Sequence, residues 1–145
     1  MHITRFTDYA LRVLMLVALK GEQLTTIQDI ADHYQISKNH LMKVVQQLSQ
    51  KGYLIAVRGS GGGVKLSRPP AEINIGKLFR DIETDLALVD CFADAKSCCI
   101  TPACTLKRVF GRALRAFVST LDEYTLEDLL AGQQQPLEEL LSLAR

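Results

Sequence analysis

At 145 residues and 48% hydrophobic, the chain is long enough for one ordinary domain, or a small domain with a dimerising extension, and too apolar for wholesale disorder. No run of ~18 apolar residues occurs, so no membrane span is expected. The formal net charge of +1 hides an asymmetry: residues 1–70 carry nine Lys/Arg against four Asp/Glu, a net +5, and residues 71–145 carry eight against twelve, a net −4.

The apolar start is interrupted by Arg5, Asp8 and Arg12, and no small-residue cleavage site follows, so no secretory signal is expected. Thr7 is expected to cap a first helix with Asp8 in its first turn. Ala10, Leu11, Val13, Leu14, Val17 and Ala18 give that helix a broad core face, and Gly21 ends it. Thr26 and Asp29 make a capping box for a short second helix, IQDIADHY. After the break at Gln35-Ile36, Ser37 is expected to cap a third helix. Its inward side is Leu41, Val44, Val45 and Leu48, and its natural stop is Gly52.

Two short helices across a tight turn, the second capped and basic, make a helix-turn-helix. Next come an apolar, β-branched run, YLIAV, a GSGGG turn and an alternating VKLS that ends before Pro69-Pro70, the pattern of a β-hairpin wing. The glycine run is no phosphate-cradling loop, because Val64 stands where the required Lys-Ser/Thr pair would begin. The fold class expected is mainly α with a small β-hairpin. Residues 1–70 form a winged helix-turn-helix DNA-binding domain; 71–145 hold a cysteine loop and a long C-terminal dimerisation helix.

Between Asp32 and Glu72 the chain has no acidic residue, while Lys38, Lys43, Lys51, Arg58, Lys65 and Arg68 all fall there. Such a patch neutralises phosphates and releases counterions from double-stranded DNA. At the start of the third helix, Asn39 suits adenine, Lys38 guanine or phosphate, and His40 either, with Ser37 a cap or a contact. Lys43, one turn on, fits a phosphate. In the wing, Arg58 and Lys65 flank the glycines, and Arg58 is the better placed to enter a minor groove.

Past the hinge at residues 69–71, INIGKLFRDIE is a short amphipathic helix. Thr101-Pro102 is expected to open a long helix, in which Ala103, Leu106, Val109, Phe110, Ala113, Leu114, Phe117 and Leu121 recur at steps of three and four. A stripe of that length needs a cover, and the partner helix of a homodimer supplies it economically. A dimer presents two recognition helices to a palindromic operator, with half-sites ~34–36 Å, or a multiple, apart. Thr125 caps LEDLLAG, and PLEELLSLA follows.

All four cysteines, Cys91, Cys98, Cys99 and Cys104, lie within residues 91–104. Bunched thiols in a chain expected to be cytoplasmic favour metal or redox chemistry over structural disulfides. Cys91, Cys98 and Cys104 offer three soft ligands. Adjacent Cys98 and Cys99 rarely ligate one centre together, because their side chains diverge. The spacing lacks the C-x2-C of a zinc knuckle but suits an iron–sulfur cluster; zinc and thiol redox chemistry remain open. Paired catalytic carboxylates, a Ser/His/Asp grouping and a C-x-x-C motif are all missing from the sequence, so no enzyme is expected.

FTDYALRVLMLVA, SKNHLMKVVQQLSQKGYLIAVRGSGGGVKLSRP and CITPACTLK, in that order over nearly the whole chain, resemble the winged-helix iron–sulfur regulators, and among them the nitric-oxide-responsive repressors. The resemblance implies a homodimeric repressor of nitric-oxide detoxification genes, with one 4Fe-4S cluster per subunit, that releases its operator on nitrosylation. The alternative within the family is a regulator answering to iron supply or redox state. By the match to CxITPAC, the ligands are Cys91, Cys98 and Cys104, with Cys99 at a variable position. Some of these repressors take a fourth ligand from an aspartate of the other subunit, here Asp8. Lys107 stands where other members place a histidine ligand, which argues against 2Fe-2S ligation of that type. A carboxylate is a hard, weak partner for a soft cluster and so the most readily displaced ligand. Arg12, one turn on, is placed to hold Asp8.

Overall fold

The computed structural model describes residues 2–143. Its helices are α1 (Arg5–Lys20), α2 (Ile27–Tyr34), α3 (Lys38–Gln50), α4 (Ile75–Ile82), α5 (Asp90–Ala93), α6 (Thr105–Asp122), α7 (Leu126–Leu130) and α8 (Gln134–Leu140). Between α3 and α4 lies one antiparallel hairpin of β1 (Leu54–Val57) and β2 (Gly63–Leu66). Among the described residues no helix is long and apolar enough to cross a membrane.

The first helix begins earlier than expected. Thr4, not Thr7, is its cap: the Thr4 hydroxyl accepts from the Thr7 amide at 3.3 Å. Thr7 instead lies on the inner face and donates its hydroxyl to Glu83 Oε2 at 2.8 Å. The helix buries Ala10, Val13, Leu14, Leu16 and Val17 and ends at Gly21, as its apolar periodicity requires. The expected capping box of α2 is present, with Thr26 and Asp29 each accepting from the other's amide at 3.0 Å. The hydrogen bond from the Thr26 amide holds the Asp29 carboxyl below its ordinary value, although its burial opposes that shift. Gln35 then turns left-handed at φ 55° and α3 begins; Ser37 occupies its cap position, but its side chain makes no capping bond.

In the hairpin, Leu54 pairs with Leu66 and Val57 with Gly63. A Cβ on Gly62 would fall 2.3 Å from the Val57 carbonyl oxygen, so the turn closes only with glycine there. Thr25 and Val64 exchange two backbone hydrogen bonds (3.0 and 2.8 Å), which ties β2 to the lead-in of α2.

Beyond residue 70 the chain folds back. Ile73, Ile75, Leu78, Ile82 and Leu126 enter the same buried cluster as α1, α2 and α3. The segments before α4 and α7 are stitched by Ile75 N–H to Tyr124 O (2.9 Å) and Leu126 N–H to Ile73 O (2.8 Å). Where α4 meets the end of α6, Arg80 pairs with Asp122 at 2.8 Å and Asn74 donates to the Asp122 carbonyl at 2.7 Å. Their approach depends on Gly76, where an added Cβ would lie 2.0 Å from Asp122 Oδ1 and 2.7 Å from the Asp122 amide nitrogen. The start of α6 also differs from expectation. Thr101-Pro102 opens a separate 3-10 turn (Thr101–Ala103), and Cys104 is the N-cap of α6.

Gly76→Ala is expected to destabilise the fold by about 1–3 kcal/mol, the cost of overpacking a close contact. Thermal unfolding followed by circular dichroism checks this; an unchanged midpoint would mean that α4 and α6 separate freely.

Candidate DNA interface and metal centre

Helix α3 divides cleanly by face. Leu41, Val44, Val45 and Leu48 are buried, while Ser37, Lys38, Asn39, His40 and Lys43 are exposed together at its N-terminal end. The wing presents Arg58, exposed just beyond β1, and Lys65, half-buried on β2 opposite Ile55. None of Lys38, Lys43, Arg58 and Lys65 enters a salt bridge among the described residues. All the expected DNA-contact residues thus lie on the helix-turn-helix and its wing.

Behind this surface sits a group that the sequence reading found only in part. Asp8 and Arg12 pair at 2.9 Å, as their i,i+4 spacing suggests. The Arg12 guanidinium also lies 6.0 Å from the ring centroids of both Tyr9 and Tyr34, and Tyr9 lies 6.3 Å from the His40 ring. Burial pushes the Tyr34 phenol up to about 12, with Arg12 opposing and Asp8 adding to the rise. His33 is half-buried and bonds through Nδ1 to the Leu141 carbonyl at 2.6 Å, which joins α2 to the C-terminal segment.

The cysteine segment runs through α5, a turn at residues 94–97 and the 3-10 turn into α6. Cys91 and Cys104 are half-buried, Cys98 and Cys99 exposed, and all four are free thiols. Among the described residues no three His, Cys, Asp or Glu side chains converge closely enough to hold a metal. Asp8 stands with Arg12 rather than with a cysteine. The donor set nonetheless suits a soft iron–sulfur group. Cys104 Sγ already accepts from the Lys107 amide at 3.4 Å at the N-terminus of α6. Thr101 Oγ1, in the turn between Cys98 and Cys104 in sequence, is buried without a hydrogen-bond partner among the described residues.

Helix α6 buries none of its residues within the chain. Phe110, Leu114, Val118 and Leu121 are half-buried, but Leu106, Val109 and Phe117 remain 57%, 53% and 39% exposed. Beside Phe117 an apolar cleft of about 660 Å³ opens between residues 2–4, the stretch 85–88 and α6.

Residues 3–132 match the Rrf2 family, described as iron-dependent transcriptional regulators. The chain is 48% identical over 145 residues to the HTH-type transcriptional regulator NsrR of Oceanobacillus iheyensis, covering 99% of this chain and 96% of that one. It is 47% identical over 136 residues to NsrR of Bacillus subtilis, covering 92% and 93%. Among solved structures, it is similar to CymR, the global cysteine regulator of B. subtilis, with a TM-score of 0.74, 28% identity, and 90% and 97% of the two chains covered. The T. potens IscR structure shares the fold, with a TM-score of 0.75 at 23% identity over 94% and 90%. The two NsrR relatives are by name regulators of transcription. The ordered motifs of the sequence and the winged helix built from them thus have one common origin: the chain belongs to the Rrf2 family of iron-dependent transcriptional regulators.

Proposed function

We propose that the chain is a cytoplasmic, homodimeric repressor that binds a palindromic duplex operator and releases it when nitric oxide reaches an iron–sulfur cluster. The observation that carries this reading is the exposed, unpaired basic end of α3 beside a wing, on a chain whose four thiols are all free and lie within residues 91–104, the last of them capping α6. Residues 1–70 serve as the reading head, with residues 71–145 as the cluster-binding and dimerising part.

Asn39 reads a base edge, Lys38 and His40 supplement it, and Ser37 stays at the helix start within reach of the backbone. Lys43 neutralises a phosphate, and Arg58 and Lys65 extend contact from the wing. The exposed Leu106, Val109 and Phe117 of α6 find their cover on a second copy. Cys91, Cys98 and Cys104 hold the cluster, of 4Fe-4S type, and Asp8 of the partner subunit completes it. Bound there, the cluster supplies an iron site whose weakest ligand yields to a small diatomic. Within its own chain Asp8 holds Arg12, and Arg12 lies against Tyr9, the ring neighbour of His40. The engagement of Asp8 therefore bears on the recognition end of α3. The family's iron dependence favours one second reading, a regulator of iron supply or redox state. In that case a chelator alone would release DNA and nitric oxide would act only as general damage.

Anaerobically prepared protein is expected to retard an operator fragment, and to lose that retardation after stepwise nitric oxide at constant salt. Equal retardation before and after refutes the sensor. Cys98→Ala should lose its iron and its visible absorbance while Cys99→Ala keeps both, as measured by metal analysis. Loss in Cys99→Ala alone would exchange the two assignments. Asn39→Ala should cost about 1–3 kcal/mol of discrimination at one base pair. Lys43→Ala should instead weaken all sequences alike and flatten the log–log salt slope by about 0.9 per subunit, read from binding isotherms at several salt concentrations.

A further inference from the structure

One polar contact joins the wing directly to the cysteine-bearing half of the chain. Tyr53 follows Gly52 at the end of α3 and is 2% exposed. Its amide donates to the Leu48 carbonyl of α3 at 2.9 Å, and its carbonyl accepts from the Ser67 amide on the far foot of the hairpin at 3.0 Å. Arg68 lays its guanidinium 5.1 Å from the Tyr53 ring centroid. The end of α3 and both feet of the wing therefore meet at this residue.

The Tyr53 hydroxyl leaves that junction and donates to Asp81 Oδ2 of α4 at 2.5 Å, and Lys77 holds the same oxygen at 2.8 Å. Burial, reinforced by Asp81, pushes the phenol well above its ordinary range, so it stays a donor. Burial works against the charge of Asp81, but hydrogen bonds from Lys77 and Tyr53, with the charges of Lys77 and Lys51, hold its carboxyl below the ordinary value. Two residues on, Glu83 is bound by Thr4 and Thr7, and the chain then runs to Cys91. Outward from Leu54, β1 is exposed at Ile55, Ala56 and Val57 and is held by its ladder to β2. The opposite strand is tied toward the tip by Val64 against Thr25, and toward the foot Leu66 packs against the core and Ser67 N–H reaches the Tyr53 carbonyl.

We infer that Tyr53 and Asp81 are a positioning pair through which α4, and with it the cysteine segment, sets the direction of the wing. The inference rests on the proposed reading of the wing as a DNA contact and of the cysteine segment as the responsive element.

Hydrogen exchange of the anaerobic, cluster-loaded dimer, followed by mass spectrometry, tests it on Tyr53→Phe, Asp81→Ala and Asp81→Asn. Tyr53→Phe keeps the ring and its Arg68 contact, and Asp81→Ala guards against an effect peculiar to that ring. Both should exchange the amides of residues 54–57 and 63–66 roughly five-fold faster, the worth of one net hydrogen bond. Exchange in α3 and the cluster absorbance should not change. Asp81→Asn, whose amide oxygen still accepts from Tyr53, should keep wild-type protection. Removing the cluster with a chelator should speed wing exchange in the wild type and add nothing in Tyr53→Phe. Wild-type wing exchange in Tyr53→Phe overturns the inference, as does a wild-type wing indifferent to cluster removal. In a parallel band shift, operator affinity lost in Arg58→Ala but kept in Tyr53→Phe also overturns it. Affinity kept in Arg58→Ala would instead remove the wing from the DNA reading, and the exchange result would still decide the pair.

Discussion

The Glu83 carboxylate, 6% exposed at the end of α4, accepts from the Thr4 amide (3.1 Å), the Thr4 hydroxyl (2.9 Å) and the Thr7 hydroxyl (2.8 Å). A carboxylate this deep in the protein costs several kcal/mol unless its oxygens are satisfied, so the start of α1 has to be where these donors are. That requirement turns Thr7 inward and leaves the capping of α1 to Thr4. With α1 pinned at its start, its buried face dictates how α3 lies across it, and hence which side of α3 stays exposed. The placement of the reading head thus follows from a bond made by a residue in the other half of the chain.

Helix α4 is short, and both of its ends are committed. At its start, Asn74 and Gly76 bring in the end of α6; on its outer face, Arg80 pairs with Asp122. Toward its other end, Asp81 takes Tyr53 and Glu83 takes α1. A helix of this length has little intrinsic stability in water, so it exists because of these ties and the burial of Ile75, Leu78, Phe79 and Ile82. Dense packing moves as a block rather than bending, so a displacement of the chain after Glu83 reaches α1 and the foot of the wing together. Helix α6 is built on the opposite plan: half clad, with Leu106 and Val109 more than half exposed, and with Lys107, Arg108, Arg112 and Arg115 as its only charges before Asp122. Arginines in a row flank an apolar seam without crossing it, which leaves that seam free for a second copy in the proposed dimer.

Features legible in the sequence are those whose cause is local. The α2 capping box, the Thr125 cap of α7, the inward positions of α3 and the glycine turn of the wing each depend on residues a few places apart, and all are present. Motifs in chain order likewise led to the Rrf2 family. The failures are long-range or competitive. Thr4 and Thr7 are equally good caps by composition, and only Glu83, 76 residues beyond Thr7, decides between them. Thr101-Pro102 is a sound helix opening, yet the backbone closes a 3-10 turn there and Cys104 takes the cap. Tyr53–Asp81 joins residues 28 apart through side chains that read separately as a core aromatic and a surface acid. Arg12 was legible as the partner of Asp8, but not as the neighbour of Tyr34 and, through Tyr9, of His40.

The cysteine segment obeys a different economy from the rest of the fold. From Thr84 to Thr125 no side chain is fully buried, and residues 93–100 are exposed throughout. Ordering a residue costs about 1–2 kcal/mol of backbone entropy, and in residues 93–100 no hydrophobic burial offsets it. Local turns help only a little: Asp94 accepts from the Lys96 amide, and Thr101 N–H reaches the Cys98 carbonyl at 3.2 Å. Thiolate ligation supplies the missing term, because metal binding to an unformed site is itself folding free energy. On that view the proposed cluster takes the place of a hydrophobic core for residues 91–104, and its loss returns that stretch toward disorder. Since the same stretch leads from the end of α4 to the start of α6, its order bears on both the wing and the proposed dimer seam.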